Sequence, residues 1–247
     1  MLVQNVTISQ RLTELSDRQI RQMATIVTNY FPDQQLMEET IRVHMEHADT
    51  VRLALYEDSI VGFSVASKYQ LMTPFYPRPI RVIFQRMLYI DPDYLFRGIG
   101  IKLLSATMKD LFGCLWPFKR IAAFCRTQNP IVVKFMAMYN VSYPQYQQPV
   151  PDDIRAFAES LLPLLGARSI DKEFRLIGTL SEFSGADYTD VWNRYYLRRD
   201  KNDSKYDNLI LHSAFDEKDG RIINRGAFVL MIAYAKPLHF IRYLFSL

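Results

Sequence analysis

The segment from residue 81 to residue 112 limits what this chain can fold into more than any other. Residues 81–90, RVIFQRMLYI, read as a strand, and Asp91-Pro92-Asp93 ends it. Tyr94-Leu95-Phe96-Arg97-Gly98-Ile99-Gly100 follows. A helix begins near Gly98, because Leu103, Leu104, Met108, Leu111 and Phe112 keep helical spacing, and Gly113 and Pro117 end it. A strand therefore feeds a helix through a turn holding two glycines. The chain has only 9 glycines among 247 residues, about half the usual share of roughly 7%. Gly98 and Gly100 let the backbone curl tightly and meet a ligand with no Cβ in the way. Free N–H groups and the helix dipole at that point suit an anion such as phosphate.

The elements around this turn follow from local patterns. Ser16-Asp17-Arg18-Gln19 is a capping box, and Ile20, Met23, Val27 and Tyr30 continue it at helical spacing until Pro32. Asp33 can cap a second helix through about His47, with Met37, Ile41 and Met45 on one face. Residues 51–72 then alternate with period two around Glu57-Asp58-Ser59 and predict a β-hairpin. Thr73–Pro79 reads as a loop. Residues 119–125 read as a short strand, and Asn129-Pro130 as a helix start with Asn as cap and Pro at the first helical position. Beyond residue 145, Asp152–Leu165 and Asp187–Arg199 look helical, Glu173–Ile177 and 227–236 look like strands, and 200–208 like a charged loop. The fold class expected is α+β: a mixed, mostly antiparallel twisted sheet flanked by helices, with a C-terminal extension.

Two familiar phosphate motifs fit the glycine turn poorly. A P-loop ends in Gly-Lys-Ser/Thr, and here Ile101-Lys102-Leu103 follows. A dinucleotide fingerprint wants a small residue at position 103 and an alternating β-α-β context. Residues 88–104, LYIDPDYLFRGIGIKLL, instead resemble the acyl-CoA-binding motif of the GNAT superfamily of acyl-CoA N-acyltransferases. The two helices, hairpin and long strand before the motif, and the strand and Asn-started helix after it, follow that family's order. The resemblance covers roughly residues 5–145. It implies a core over 1–145 and leaves 146–247 as an extension of unknown role, with a last core strand near 227–236.

The resemblance implies a mechanism, position by position. Backbone N–H groups of Phe96, Arg97, Gly98, Ile99, Gly100 and Ile101 would hold the CoA pyrophosphate. The strand ending at Ile90 would offer backbone groups to the pantetheine arm, and an N–H near Leu88–Ile90 would polarise the thioester carbonyl. Asn129 stands where the family often has an Asn touching that arm. The amine would attack directly in a ternary complex. Three positions depart from the family pattern. Leu95 replaces an Arg or Gln. Around position 84, Phe84 and Gln85 stand where many members carry a Glu. Met136 stands in place of a Tyr general acid, for which Tyr139, one turn further on, is the candidate substitute. The expected activity is transfer of an acyl group, in the first place acetyl, from acyl-CoA to an amine, on a small molecule or a protein. The alternative is a GNAT-fold protein that holds acyl-CoA without turnover.

Composition narrows the remaining classes. Two cysteines, Cys114 and Cys125, exclude a disulfide-stapled scaffold and a Cys-rich zinc site. Cys125 reads as core, and Cys114 has no evident activating partner. His44 and His47 are spaced i, i+3 and read as surface residues or, through the resemblance, as a base beside the acceptor. No metal is expected. A formal net charge of +4 is mild and does not by itself argue for nucleic acid. Tyr188, Trp192, Arg194, Tyr195, Tyr196, Arg198 and Arg199 mix rings and charge, which suits a solvated helix face with an aromatic inner stripe or, as the alternative, stacking on a base or gripping an acidic substrate. The apolar run 227–235 is about half the roughly 20 residues of a membrane-spanning helix. With no secretory pattern in the first residues, a cytoplasmic location is expected. Leu238, Ile241, Leu244 and Phe245 give an amphipathic tail that would pack on the domain or in a homodimer. The 15 Tyr and 16 Phe suit either a large core or an apolar acceptor pocket.

Overall fold

Ser16 opens the first helix as its capping box requires: its Oγ accepts from the Gln19 N–H, and the Gln19 side chain accepts from the Ser16 N–H. The computed structural model describes residues 6–11, 14–31, 34–178, 205–218, 221–224 and 227–239. The readings of Pro32 and Asp33, of the 187–199 helix and of the tail beyond His239 fall outside these residues.

In chain order the elements are β1 (Thr7–Ile8), α1 (Asp17–Thr28), α2 (Gln34–Glu46), β2 (Thr50–Tyr56), β3 (Ser59–Thr73), β4 (Tyr76–Ile90), α3 (Ile99–Phe112) and β5 (Ile121–Thr127). Then come α4 (Pro130–Met136), β6 (Val141–Tyr143), α5 (Asp152–Ser160), α6 (Leu162–Leu165), β7 (Ser169–Ile170) and β8 (Arg175–Ile177). Last are α7 (Lys205–Ala214), β9 (Phe215–Lys218), β10 (Arg221–Asn224) and β11 (Phe228–Ala235). Every strand pair with a described register is antiparallel. The fold is α+β, a mostly antiparallel sheet flanked by helices.

The chain divides into two units, Met1–Tyr69 with Ile83–Pro117, and Gln70–Val82 with Phe118–Leu247. In the first unit the strand order is β1-β2-β3-β4. α1 packs on α2, and α3 on β2. Ile99 and Leu103 of α3 are buried against Val6, Ala54 and Val61, with Leu88, Ile90 and Tyr94 packed beside them. Burying each such side chain contributes roughly 1.5–3 kcal/mol, so α3 is held at its first turn. Arg52 of β2 holds α3 further along. Its Nε donates to Asp110 Oδ2 at 2.6 Å and its Nη2 to Oδ1, while Thr50 Oγ1 donates to Oδ2 at 2.7 Å.

In the second unit β11 is central. It pairs with β5 from Val229↔Thr127 to Ala235↔Ile121, and with β6 and β8. All of its residues are buried, which explains the apolar run at 227–235 as a strand covered on both faces. Among the described residues no helix is long and apolar enough to cross a membrane.

Three local expectations differ from the structure. Thr73–Pro79 is not a loop: β3 runs through Thr73 and β4 starts at Tyr76. Pro77 and Pro79 are exposed and spaced by two, so both missing N–H groups fall on one edge of β4 and the other edge keeps its donors. Residues 205–208 are not loop but the polar start of α7, exposed at Lys205 and half-buried after it, and the helix buries Leu209, Ile210, Ser213 and Ala214. His44 is not a surface residue. It is 8% exposed, while His47 is exposed.

Candidate functional site

The glycine turn is built in the first unit from rigid parts. Asp91 caps a short 3-10 turn, Pro92–Tyr94: its carboxylate accepts from the Asp93 N–H at 3.0 Å and its carbonyl from the Tyr94 N–H at 2.9 Å. Leu95 is extended. Phe96 and Gly98 are both left-handed, at φ 60° and 77°. Left-handed residues alternating with ordinary ones turn successive N–H groups toward a common concavity that suits an anion. Phe96 takes this conformation without glycine's freedom, and its ring is 60% exposed.

Gly98 is the N-cap of α3 and offers no side-chain acceptor. The first described helical bond runs from the Lys102 N–H to the Gly98 carbonyl, at 3.2 Å. The N–H groups of Ile99, Gly100 and Ile101 thus lack a side-chain cap and point out of a 14-residue helix. The Arg97 guanidinium lies 5.1 Å from the Tyr94 ring centre, so a positive charge stands beside the turn. Lys102 is exposed one turn into the helix. Gly100 is closely packed, but its conformation does not require glycine. A Cβ there would stand 3.2 Å from Ile90 Cδ1, on the core side of the helix.

The strand that delivers the turn is clamped at its end. The Asp91 N–H donates to the Val61 carbonyl of β3 at 2.9 Å, and Gly62 lies so close that a Cβ would meet the Tyr89 carbonyl oxygen at 3.1 Å. Tyr89 and Asp91 therefore face β3, and the backbone groups of Ile90 face the other edge. There the Tyr30 hydroxyl, from just beyond α1, donates to the Ile90 carbonyl at 2.6 Å. This refines the sequence reading. The Ile90 carbonyl already has a partner, so it is not the group that Ile90 would offer a pantetheine arm.

β4 also changes face on its way to the turn. Arg86 reaches Ser67 and Tyr69 and lies over the Phe84 ring, whereas Tyr89 meets Phe63. Phe63, Ser67 and Tyr69 alternate on one face of β3, so residues 86 and 89, three apart, share a face. A regular strand forbids that, and an irregularity lies between them. Gln85 splints it. Its Nε2 donates to the carbonyls of Met87 at 2.7 Å and Val65 at 3.1 Å, and contacts Ser64 Oγ at 3.1 Å. Ser64 shares a 2.9 Å hydrogen bond with Thr107 of α3. Gln85 is thus a structural donor in the place where a general-base carboxylate was sought, and Phe84 is buried at 1% exposure.

Asn129 and Tyr139 belong to the second unit. The Asn129 Oδ1 accepts from the Ile131 N–H at 2.8 Å and caps α4, as expected. Tyr139 departs from expectation: α4 ends at Met136, so Tyr139 does not continue its face. It is 8% exposed and packs edge-on against Phe135. Burial, with a smaller contribution from Cys125, pushes its phenol well above the usual range, so the hydroxyl stays protonated. Cys125 is buried and its thiol is pushed up to about 12 by burial, while Cys114 is exposed. The Tyr30 clamp and the Gln85 splint were missed in the sequence, since each depends on partners far away along the chain.

No protein-family model matches this chain, and no curated protein does. Solved structures do match. A protein from Pyrococcus horikoshii is 18% identical over 54% of this chain and 86% of its own, with a TM-score of 0.43. Histone acetyltransferase HPA2 and related acetyltransferase from Corynebacterium glutamicum is 12% identical over 60% of this chain and 91% of its own, with a TM-score of 0.41. A GNAT family acetyltransferase from Elizabethkingia anophelis with acetyl-CoA bound is 13% identical over 93% of this chain and 98% of its own, with a TM-score of 0.37. Likenesses at TM-scores below 0.5 carry no weight of their own. What the chain can do follows from the turn, the clamped strand end and the groups around them.

Proposed function

We propose that this protein is an acyl-CoA N-acyltransferase of the GNAT type, transferring an acyl group, in the first place acetyl, to an amine. The carrying observation is the turn at Phe96–Ile101: two left-handed residues, an uncapped helix start and the Arg97 charge, at the end of a strand clamped on both edges. A pyrophosphate there accepts from several N–H groups at once and meets the positive end of α3. The N–H groups of Leu88 and Ile90, which face away from β3, are the proposed donors for the thioester carbonyl and its oxyanion. The amine nitrogen then bonds to the acyl carbon, the C–S bond breaks, and the amine's proton balances the released thiol. On the family resemblance alone, Tyr139, which burial keeps protonated, is proposed as the general acid for the thiolate, and Asn129 as a contact of the pantetheine arm.

The second reading, a protein that holds acyl-CoA without turnover, is favoured by Phe84, where no carboxylate is present to take the amine's proton. Acetyl-CoA-dependent thiol release over an amine panel separates the two. Release supports transfer. Acetyl-CoA binding without release supports the holding protein. Gly98→Trp fills the turn and abolishes binding under both readings, and normal binding by that variant would remove the site assignment.

A further inference from the structure

Arg86 is the group in this region that the acyl transfer itself leaves unexplained. It stands on β4 two residues before Leu88 and is half-buried. Its Nε donates to Ser67 Oγ at 2.5 Å and its Nη2 to the Tyr69 hydroxyl at 2.9 Å, and its carbon lies 4.7 Å over the Phe84 ring. Ser67 in turn donates to the His47 carbonyl at the end of α2. These partners are neutral. Among the described residues no carboxylate pairs with Arg86, whereas Arg52 and Arg175 in the same chain each have one. A partly desolvated cation without a counter-ion is costly. These three interactions fix the fork in place and leave Nη1 free to donate. A guanidinium so fixed matches a planar carboxylate.

Along the same face, Phe63 and Tyr89 form an aromatic cluster with Tyr30 and Phe31. The strand thus carries a fixed cation, the half-buried Tyr89 ring backed by buried aromatics and, after its irregularity, the N–H groups proposed to hold the thioester. We infer that the amine acceptor carries a carboxylate, which Arg86 binds while the amine is presented to the acyl carbon. This rests on the acyl-transfer reading for the fate of the amine, but not for the binding of the acid.

Calorimetry with two series tests it: ω-amino carboxylates from glycine to 6-aminohexanoate, and unsubstituted alkylamines of matched length. At least one amino carboxylate is expected to bind about tenfold or more tightly than its matched amine, the size expected of a hydrogen bond to a charged group. Arg86→Gln is expected to erase that ratio. Arg86→Lys keeps charge but loses the fork, and is expected to show an intermediate ratio. It also decides the matter if the Gln variant fails to fold. Equal affinity for the two series in the wild type, or a full wild-type ratio in Arg86→Lys, overturns the inference. Thiol release with the same compounds is read separately. An amino-acid preference without any acetyl-CoA binding would sink the acyl-transfer reading and leave the carboxylate site standing.

Discussion

The two glycines of the turn do different physical work, and the contrast between Gly98→Ala and Gly100→Ala exposes it. Gly98 sits at φ 77°, where an L-residue costs roughly 1–2 kcal/mol. For a chain of this size that lowers the melting midpoint by roughly 2–8 °C, at about 2–4 °C per kcal/mol. Relaxing that strain would also turn backbone N–H groups away from the concavity proposed to hold the anion. Gly100 is helical, so alanine regains up to about 1 kcal/mol of helix propensity. Its Cβ meets only the flexible end of Ile90, at 3.2 Å, on the core side. Gly98→Ala is therefore expected to melt lower and bind acetyl-CoA about tenfold or more weakly, because at least one backbone N–H no longer reaches the anion. Gly100→Ala is expected to melt within a few degrees of wild type and to bind nearly as well. Differential scanning fluorimetry and calorimetry with acetyl-CoA read both. Equal affinities for the two variants, or a Gly98→Ala protein as stable as wild type, would refute the reasoning.

Tyr30→Phe leaves the Ile90 carbonyl without its partner and is expected to lose about 1–3 kcal/mol in urea unfolding. No loss would mean that the hydroxyl does not hold the strand end. Gln85→Glu replaces the donor to the Met87 and Val65 carbonyls with an acceptor, and its midpoint should fall further at pH 8 than at pH 5, since the buried carboxyl must ionise. A pH-independent change would speak against the splint. For Asp110, burial pushes the carboxyl up, but the hydrogen bonds from Arg52 and Thr50 and the Arg52 charge outweigh it and hold the pKa below the ordinary value. A depressed folded-state pKa gives stabilisation that is complete above about pH 4 and lost as the pH falls below it. Asp110→Asn should therefore be less stable at pH 7 and show a shallower acid limb, and parallel limbs would contradict that. Iodoacetamide on the folded protein at pH 8 is expected to label Cys114 and spare Cys125, and rapid labelling of both would contradict the burial of Cys125.

How much of this was legible in the sequence depended on how local its cause was. The capping box at Ser16, the Asn129 cap and the strand-to-helix turn are set by residues within a few positions, and all stand as read. The hairpin tip was not legible, because prolines signal a loop unless one edge of the strand does without donors. The start of α7 hid behind its charges, since a polar first turn looks like a loop. The end of α4 at Met136 was not legible either, because nothing nearby marks where the helix stops. The bond from Tyr30 to Ile90 spans 60 residues, and the change of face in β4 shows only against β3. The aromatic excess, ambiguous as composition, resolves in the first unit into packing around Tyr89, with Tyr30 and Phe31 buried.

Amide chemical shifts of isotope-labelled protein titrated with CoA test the central claim most directly. The largest changes are expected at Phe96–Ile101, and inorganic pyrophosphate should reproduce them in part, since the turn holds the diphosphate. Saturable CoA binding that leaves those amides unmoved, or no binding at all, would contradict the account.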